Sequence, residues 1–101
     1  MKPVIIRPEA ESDMITAYNW YERCRPGLGE DFLLAVEATL ASIERYPEAF
    51  STVHKEIRRT LLRRFPYGVF YIEGQKQCSV IAVFHASRSP HLWKTRGKLA
   101  K

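Results

Sequence analysis

Residues 56–96 read EIRRTLLRRFPYGVFYIEGQKQCSVIAVFHASRSPHLWKTR. Two apolar runs inside this stretch, Gly68 to Ile72 and Cys78 to Phe84, are rich in the β-branched and aromatic residues that suit a pleated surface. The polar link Glu73-Gly74-Gln75-Lys76-Gln77 between them predicts a β-hairpin. Arg58, Arg59, Arg63 and Arg64 precede the hairpin, and His85, Arg88, His91, Trp93, Lys94 and Arg96 follow it. A rigid apolar hairpin with basic and aromatic groups at both ends is a platform for a charged surface, and function is expected there.

Just upstream, Glu56 to Arg63 predicts a further strand. Alternation places Ile57, Arg59 and Leu61 on one face and Arg58, Thr60 and Leu62 on the other. Each face carries an apolar residue, so either could point inward. Pro66 belongs at a strand start or an edge. In the hairpin, Val69 and Tyr71 oppose Phe70 and Ile72, and Val80, Ala82 and Phe84 are expected to oppose Ile81, Val83 and His85. Both hairpin strands are therefore apolar on both faces. One face should receive the helices, and the other needs a cover from the C-terminal residues or from a partner chain.

The first half supplies those helices. Lys2 to Arg7 reads as a short strand, and Pro8 suits the first position of a helix. Glu9, Glu11 and Asp13 oppose the positive end of the helix dipole. Ala10, Met14, Ala17, Tyr18 and Tyr21 recur at steps of three and four until Arg25-Pro26-Gly27-Leu28-Gly29 ends the helix near Cys24. A second helix is expected from about Glu30, with Phe32, Leu33, Val36, Leu40 and Ile43 as its stripe and Tyr46-Pro47 as its stop. Trp20 and Tyr21 read as core or helix-seam residues. Residues 47–55 read as a loop that tucks Phe50 and Val53 under the sheet. The expected class is α+β: an N-terminal strand, then an antiparallel helical hairpin packed on a small, mainly antiparallel sheet, in the order β-α-α-β-β-β.

At 101 residues the chain is expected to be one domain, spanning 1–101, large enough for one core. Charge is unevenly spread. Residues 1–51 carry five Lys/Arg and nine Asp/Glu (net −4), and residues 52–101 carry eleven and two (net +9). Such asymmetry predicts an anionic partner, either nucleic acid or an acidic protein segment. No window is long and apolar enough for a membrane span, and MKPVIIRPEAESD turns acidic before a signal-peptide core could form. Cys24 and Cys78 read as reduced core residues of a cytoplasmic protein. Phosphate-binding loops and metal-ligand spacings are absent from the sequence, and no cofactor is expected. His85, at the end of a central strand, reads either as a hydrogen-bonded structural residue or as a general acid or base. In metal-free RNA cleavage, His85 or His91 would move protons while Arg58, Arg63, Arg64 and Arg88 stabilised the phosphorane.

Arg58-Arg59, Arg64-Phe65-Pro66-Tyr67, His85, Arg88-Ser89-Pro90, Trp93 and Arg96 together form a pattern that resembles the RelE/ParE superfamily of bacterial type II toxins. The initial strand, the Ala10-to-Tyr21 helix, the Arg25-to-Phe32 link and Tyr46-Pro47 extend the resemblance over nearly the whole chain. It implies a toxin neutralised by a cognate antitoxin whose acidic C-terminal segment wraps the toxin in a hetero-oligomer. Arg58, Arg59, Arg63, Arg64, Tyr67, His85, Arg88, Trp93 and Arg96 are then the expected antitoxin- or target-binding residues. RelE-like relatives cleave mRNA on the ribosome, often with a tyrosine near the C-terminus, whereas ParE-like relatives inhibit DNA gyrase. This chain has no tyrosine after Tyr71 and only Lys55 ahead of its second strand, and its RFPY wording is closer to the ParE-like branch. The resemblance therefore implies gyrase inhibition. The alternatives are a ribosome-dependent mRNA endonuclease using His85, Arg58, Arg64 and Arg88, or a non-toxic module that only binds antitoxin as a corepressor.

Overall fold

Pro8 opens the first helix, α1 (Pro8–Cys24), where its fixed φ suits the first turn and its missing N–H has no intrahelical partner to lose. In this computed structural model, which describes residues 1–99, α1 is preceded by β1 (Val4–Ile6) and followed by α2 (Leu28–Arg45). Then come β2 (Thr52–His54), β3 (Ile57–Leu61), β4 (Tyr67–Glu73), β5 (Cys78–His85) and α3 (Pro90–Leu99). The five strands form one sheet in the order β1-β5-β4-β3-β2; β1 runs parallel to β5, and every other pair is antiparallel. The α+β architecture expected from sequence is present, with a short edge strand, β2, inside the predicted loop and a C-terminal helix beyond the expected elements.

The turn between α1 and α2 is shorter than its proline and glycines suggest. Gly27 takes φ +91°, a left-handed value that costs glycine little. The Glu22 carboxylate then accepts from the N–H groups of Gly27 (3.0 Å) and Gly29 (2.9 Å). A side chain from α1 thus satisfies donors at the start of α2, so α2 begins at Leu28 instead of about Glu30. Glu22→Ala should cost about 1 kcal/mol, the usual loss for a helix-capping oxygen, read as a lower urea midpoint with unchanged slope.

The helical hairpin packs on one face of the sheet. Ala10, Ala17, Phe32, Val36, Ile43, Leu62, Phe65, Val69, Tyr71, Cys78, Val80 and Val83 form that core. Tyr21, Phe32, Phe65 and Tyr67 make an aromatic cluster within it, with ring centroids 4.9–6.0 Å apart. Two sequence expectations need correction here. Trp20 lies one step off the buried stripe of α1 and is 58% exposed, and Cys24, the last residue of α1, is exposed beside the turn. Cys78 is buried as expected.

Tyr71 shows how the loop after α2 is tied down. Its hydroxyl donates to the carbonyl of Pro47 at 2.7 Å, and its ring is fully buried. Burial pushes its pKa up from 10.0 to about 12, against a smaller lowering by Arg58. Folding therefore favours the neutral phenol. Its contribution is intact below pH 10 and is lost as pH rises from 10 to 12, by up to about 3 kcal/mol. Tyr71→Phe should lose about 1 kcal/mol at neutral pH with the hydrogen bond, yet flatten the alkaline fall in a pH series of urea melts.

On β5 the alternation breaks. Phe70 pairs with Ala82 but Tyr71 pairs with Val80, so Ile81 is the extra residue of a β-bulge. The bulge re-phases the strand. Cys78, Val80 and Val83 face the helical core, and Ile81, Ala82 and Phe84 join the opposite cluster with Ile57, Phe70 and Trp93. The expected grouping of Val80 with Ala82 and Phe84 is thus corrected. The opposite face is covered by α3. Trp93 stacks on Phe70 with centroids 4.7 Å apart, and the α3 backbone approaches so closely that a Cβ at Gly97 would sit 2.5 Å from Ile57 Cδ1.

A second consequence follows at the edge of β5. The last rung with β1 is the Arg7 N–H donating to Val80 O at 3.0 Å. Beyond it the β5 edge faces side chains instead of a strand. Asp13 Oδ2 accepts from the Val83 N–H (3.0 Å), and Arg96 Nη1 donates to Ile81 O (3.0 Å). Arg96 also grips Asp13 with both nitrogens, at 2.5 and 3.2 Å. One ion pair thus completes the backbone hydrogen bonding of the edge and joins α1, β5 and α3.

Candidate functional site

The basic residues singled out from sequence divide into two sets. Arg58 and Arg96 turn inward. Arg58 Nη1 donates to the carbonyls of Phe50 (2.6 Å) and Glu48 (3.3 Å), bracing the segment before β2, and its Nε lies 4.0 Å from Glu73 Oε1. Glu73 also holds Lys2 at 2.9 Å. Arg96 is spent on Asp13 and the β5 edge. Both guanidinium groups are neutralised by acids distant in sequence, and both act in the fold.

Arg59, Arg63, Arg64 and Arg88 point outward, and none makes an ion pair with a described residue. They are gathered by the backbone. The Ala86 N–H donates to Pro66 O at 2.7 Å, joining the β3–β4 turn that carries Arg63 and Arg64 to the β5–α3 turn that carries Arg88. Arg64 holds φ +69° in that turn. The Arg88 guanidinium lies 4.5 Å from the Phe84 ring centroid, close enough for a cation–π contact. The Arg59 stem lies across Gly68, where a Cβ would come within 3.2 Å of it.

Tyr67, His85 and Arg88 meet at this end of the sheet. The Tyr67 and His85 rings are 5.4 Å apart, and the Arg88 N–H donates to His85 O at 2.9 Å. Burial raises the Tyr67 phenol pKa, with a smaller opposing pull from the Arg88 charge, so the phenol stays protonated. His85 Nδ1 accepts from the Ser87 N–H at 3.0 Å, with the Ser87 hydroxyl 2.8 Å away. In neutral His85 the ring proton therefore sits on Nε2. Trp93 is 6% exposed, beneath the surface it was expected to form.

Sequence reasoning missed Asp13 and Glu73 as the partners that remove Arg96 and Arg58 from the exposed set. Asp13 is 83 residues from Arg96, and no local pattern records that pairing. It also left out a cleft of about 300 Å³ on the helical hairpin, lined by Glu11, Met14, Ile15, Tyr18, Glu30 and Leu33. Among the described residues, no helix is long and apolar enough to cross a membrane.

A family model described as the ParE toxin of the type II toxin–antitoxin system parDE matches residues 4–90. Among solved structures, the chain is similar to one titled "Chromosomal ParDE TA system from P. aeruginosa", with a TM-score of 0.64 and 15% identity. That match covers 84% of this chain and 96% of the other, and at this identity it is a likeness of fold. No curated protein matches.

Proposed function

We propose that this chain, which belongs to the ParE toxin family of type II toxin–antitoxin systems, inhibits DNA gyrase and is neutralised by a cognate antitoxin with an acidic C-terminal segment. The observation that carries the choice of target is the fate of the candidate catalytic groups. Of the set a nuclease would use, Arg58 is committed to loop carbonyls and His85 Nδ1 to Ser87, while Arg64 and Arg88 stay exposed as positive charges. What remains is a charged binding surface with no convergent acid–base pair, which suits a toxin that holds its target over one that cuts RNA. Exposed ion pairs contribute only about 0.2–1 kcal/mol each. The antitoxin's affinity is therefore assigned mainly to apolar contacts, for which the cleft beside Met14, Ile15 and Leu33 is suited.

A supercoiling assay with purified gyrase, run beside primer extension on ribosome-bound message, tests the proposal. Inhibition of gyrase without discrete cuts in the message is expected. Codon-specific cuts with normal supercoiling would establish the mRNA endonuclease instead. Inertness in both assays, with retained antitoxin binding, would establish the corepressor module.

A further inference from the structure

We infer that Arg59, Arg63, Arg64 and Arg88 hold the phosphate backbone of duplex DNA, so that this chain engages the DNA bound to its target as well as the target protein. The inference rests on the gyrase reading for its biological setting and on the geometry of this surface for its chemistry.

Three observations favour duplex DNA. The first is the availability of charge. Residues 52–101 carry a net +9, and these four arginines have no carboxylate partner among the described residues. A guanidinium presents a planar fork that matches phosphate oxygens, and Arg63, Arg64 and Arg88 are offered from two turns joined by the Ala86–Pro66 hydrogen bond. The neighbouring acid, Asp31, lines a small cleft with Arg63 and Arg64 and lies 3.9 Å from Arg25. The first turn of α3 carries no acid either.

The second observation is the state of the aromatic rings. Proteins that read single strands stack unpaired bases on exposed aromatics. At this end Phe65, Phe84 and Trp93 are buried and Tyr67 is half-buried, with Arg88 lying over Phe84. Bases would find no fully exposed Phe, Tyr or Trp ring here among the described residues, whereas a duplex presents its phosphates outward and needs none.

The third is the scarcity of apolar anchors. Of the exposed large apolar residues, Leu61 on β3 lies across the Gly68 depression, and Leu34 on α2 lines the small cleft with Arg63 and Arg64. An acidic protein segment would need buried apolar contacts for stable binding. Duplex DNA gains its affinity from released counterions, which a surface of charges alone can supply.

The test is fluorescence anisotropy of the purified chain with a short labelled duplex over a range of salt concentrations. Four phosphate contacts predict a slope of log K against log salt of about −3 to −4, or a roughly 100-fold loss between about 50 mM and about 200 mM. Arg59→Gln, Arg63→Gln, Arg64→Gln and Arg88→Gln combined should flatten the slope, with far-UV circular dichroism confirming a folded variant. The wild-type slope needs no variant at all. A slope shallower than about −1, unchanged binding by the quadruple variant, tighter binding of single-stranded DNA or RNA, or binding of poly-glutamate alone would overturn the inference. Gyrase inhibition without duplex binding overturns it while leaving the gyrase reading standing. Duplex binding without gyrase inhibition supports the DNA contact and removes the gyrase reading.

Discussion

Induced in a bacterial host without an antitoxin, this chain should arrest growth with broken chromosomes and a DNA-damage response, while protein synthesis continues at first. His85→Gln should leave that arrest intact. Its Nδ1 accepts a hydrogen bond from the Ser87 N–H, so the imidazole acts here as a strand-end acceptor. The glutamine amide oxygen offers a comparable acceptor, and the expected change in toxicity is no larger than the change in folded protein. A general acid or base would behave differently. Its removal should reduce cleavage by about 10²–10⁴-fold and abolish the arrest. Prompt loss of translation in the wild type, and its rescue by His85→Gln, would replace the gyrase reading with the nuclease one.

The Asp13–Arg96 pair should carry the largest stability effect. The two side chains are 13% and 24% exposed, so breaking the pair strands a charge in a partly desolvated site. Fully buried pairs cost about 3–5 kcal/mol when one partner is removed, and partial exposure reduces the expectation to about 2–3 kcal/mol. Asp13→Ala should be the more damaging change, because it also leaves the Val83 N–H without its acceptor. A double-mutant cycle with Arg96→Ala, read by urea unfolding, should show coupling of about 1–3 kcal/mol. Faster amide exchange at Val83 would locate the opening. Two single variants within about 0.5 kcal/mol of wild type would show that the edge is adequately served by water.

The helical hairpin and the three strands β3, β4 and β5 were legible because their signals are local. Pro8 marks a helix start, the stripe from Phe32 to Ile43 marks a buried face, and the 73–77 link marks a turn. The bulge at Ile81 was not legible, because a run that is apolar at every position reads the same in either phase. Nor was α3, whose sequence from Pro90 sets the buried Trp93 among basic and polar groups. At the candidate site, the aromatic and basic residue types were legible but their allegiance was not. Arg58 and Arg63 look alike in sequence, and only the fold brings Phe50 O to one and leaves the other exposed.

The pairing of β1 with β5 bears on the order in which this protein can be made. Val4 lies opposite Cys78 and Ile6 opposite Val80, so the earliest strand must wait for the final one before it has a neighbour. Arg96, which completes the same edge, is synthesised later still. On the ribosome, the helices can form early through local contacts, but closure of the sheet awaits emergence of nearly all of the described chain. The exposed apolar faces of the waiting segments are then open to an antitoxin before the two turns bearing Arg63, Arg64 and Arg88 have been brought together.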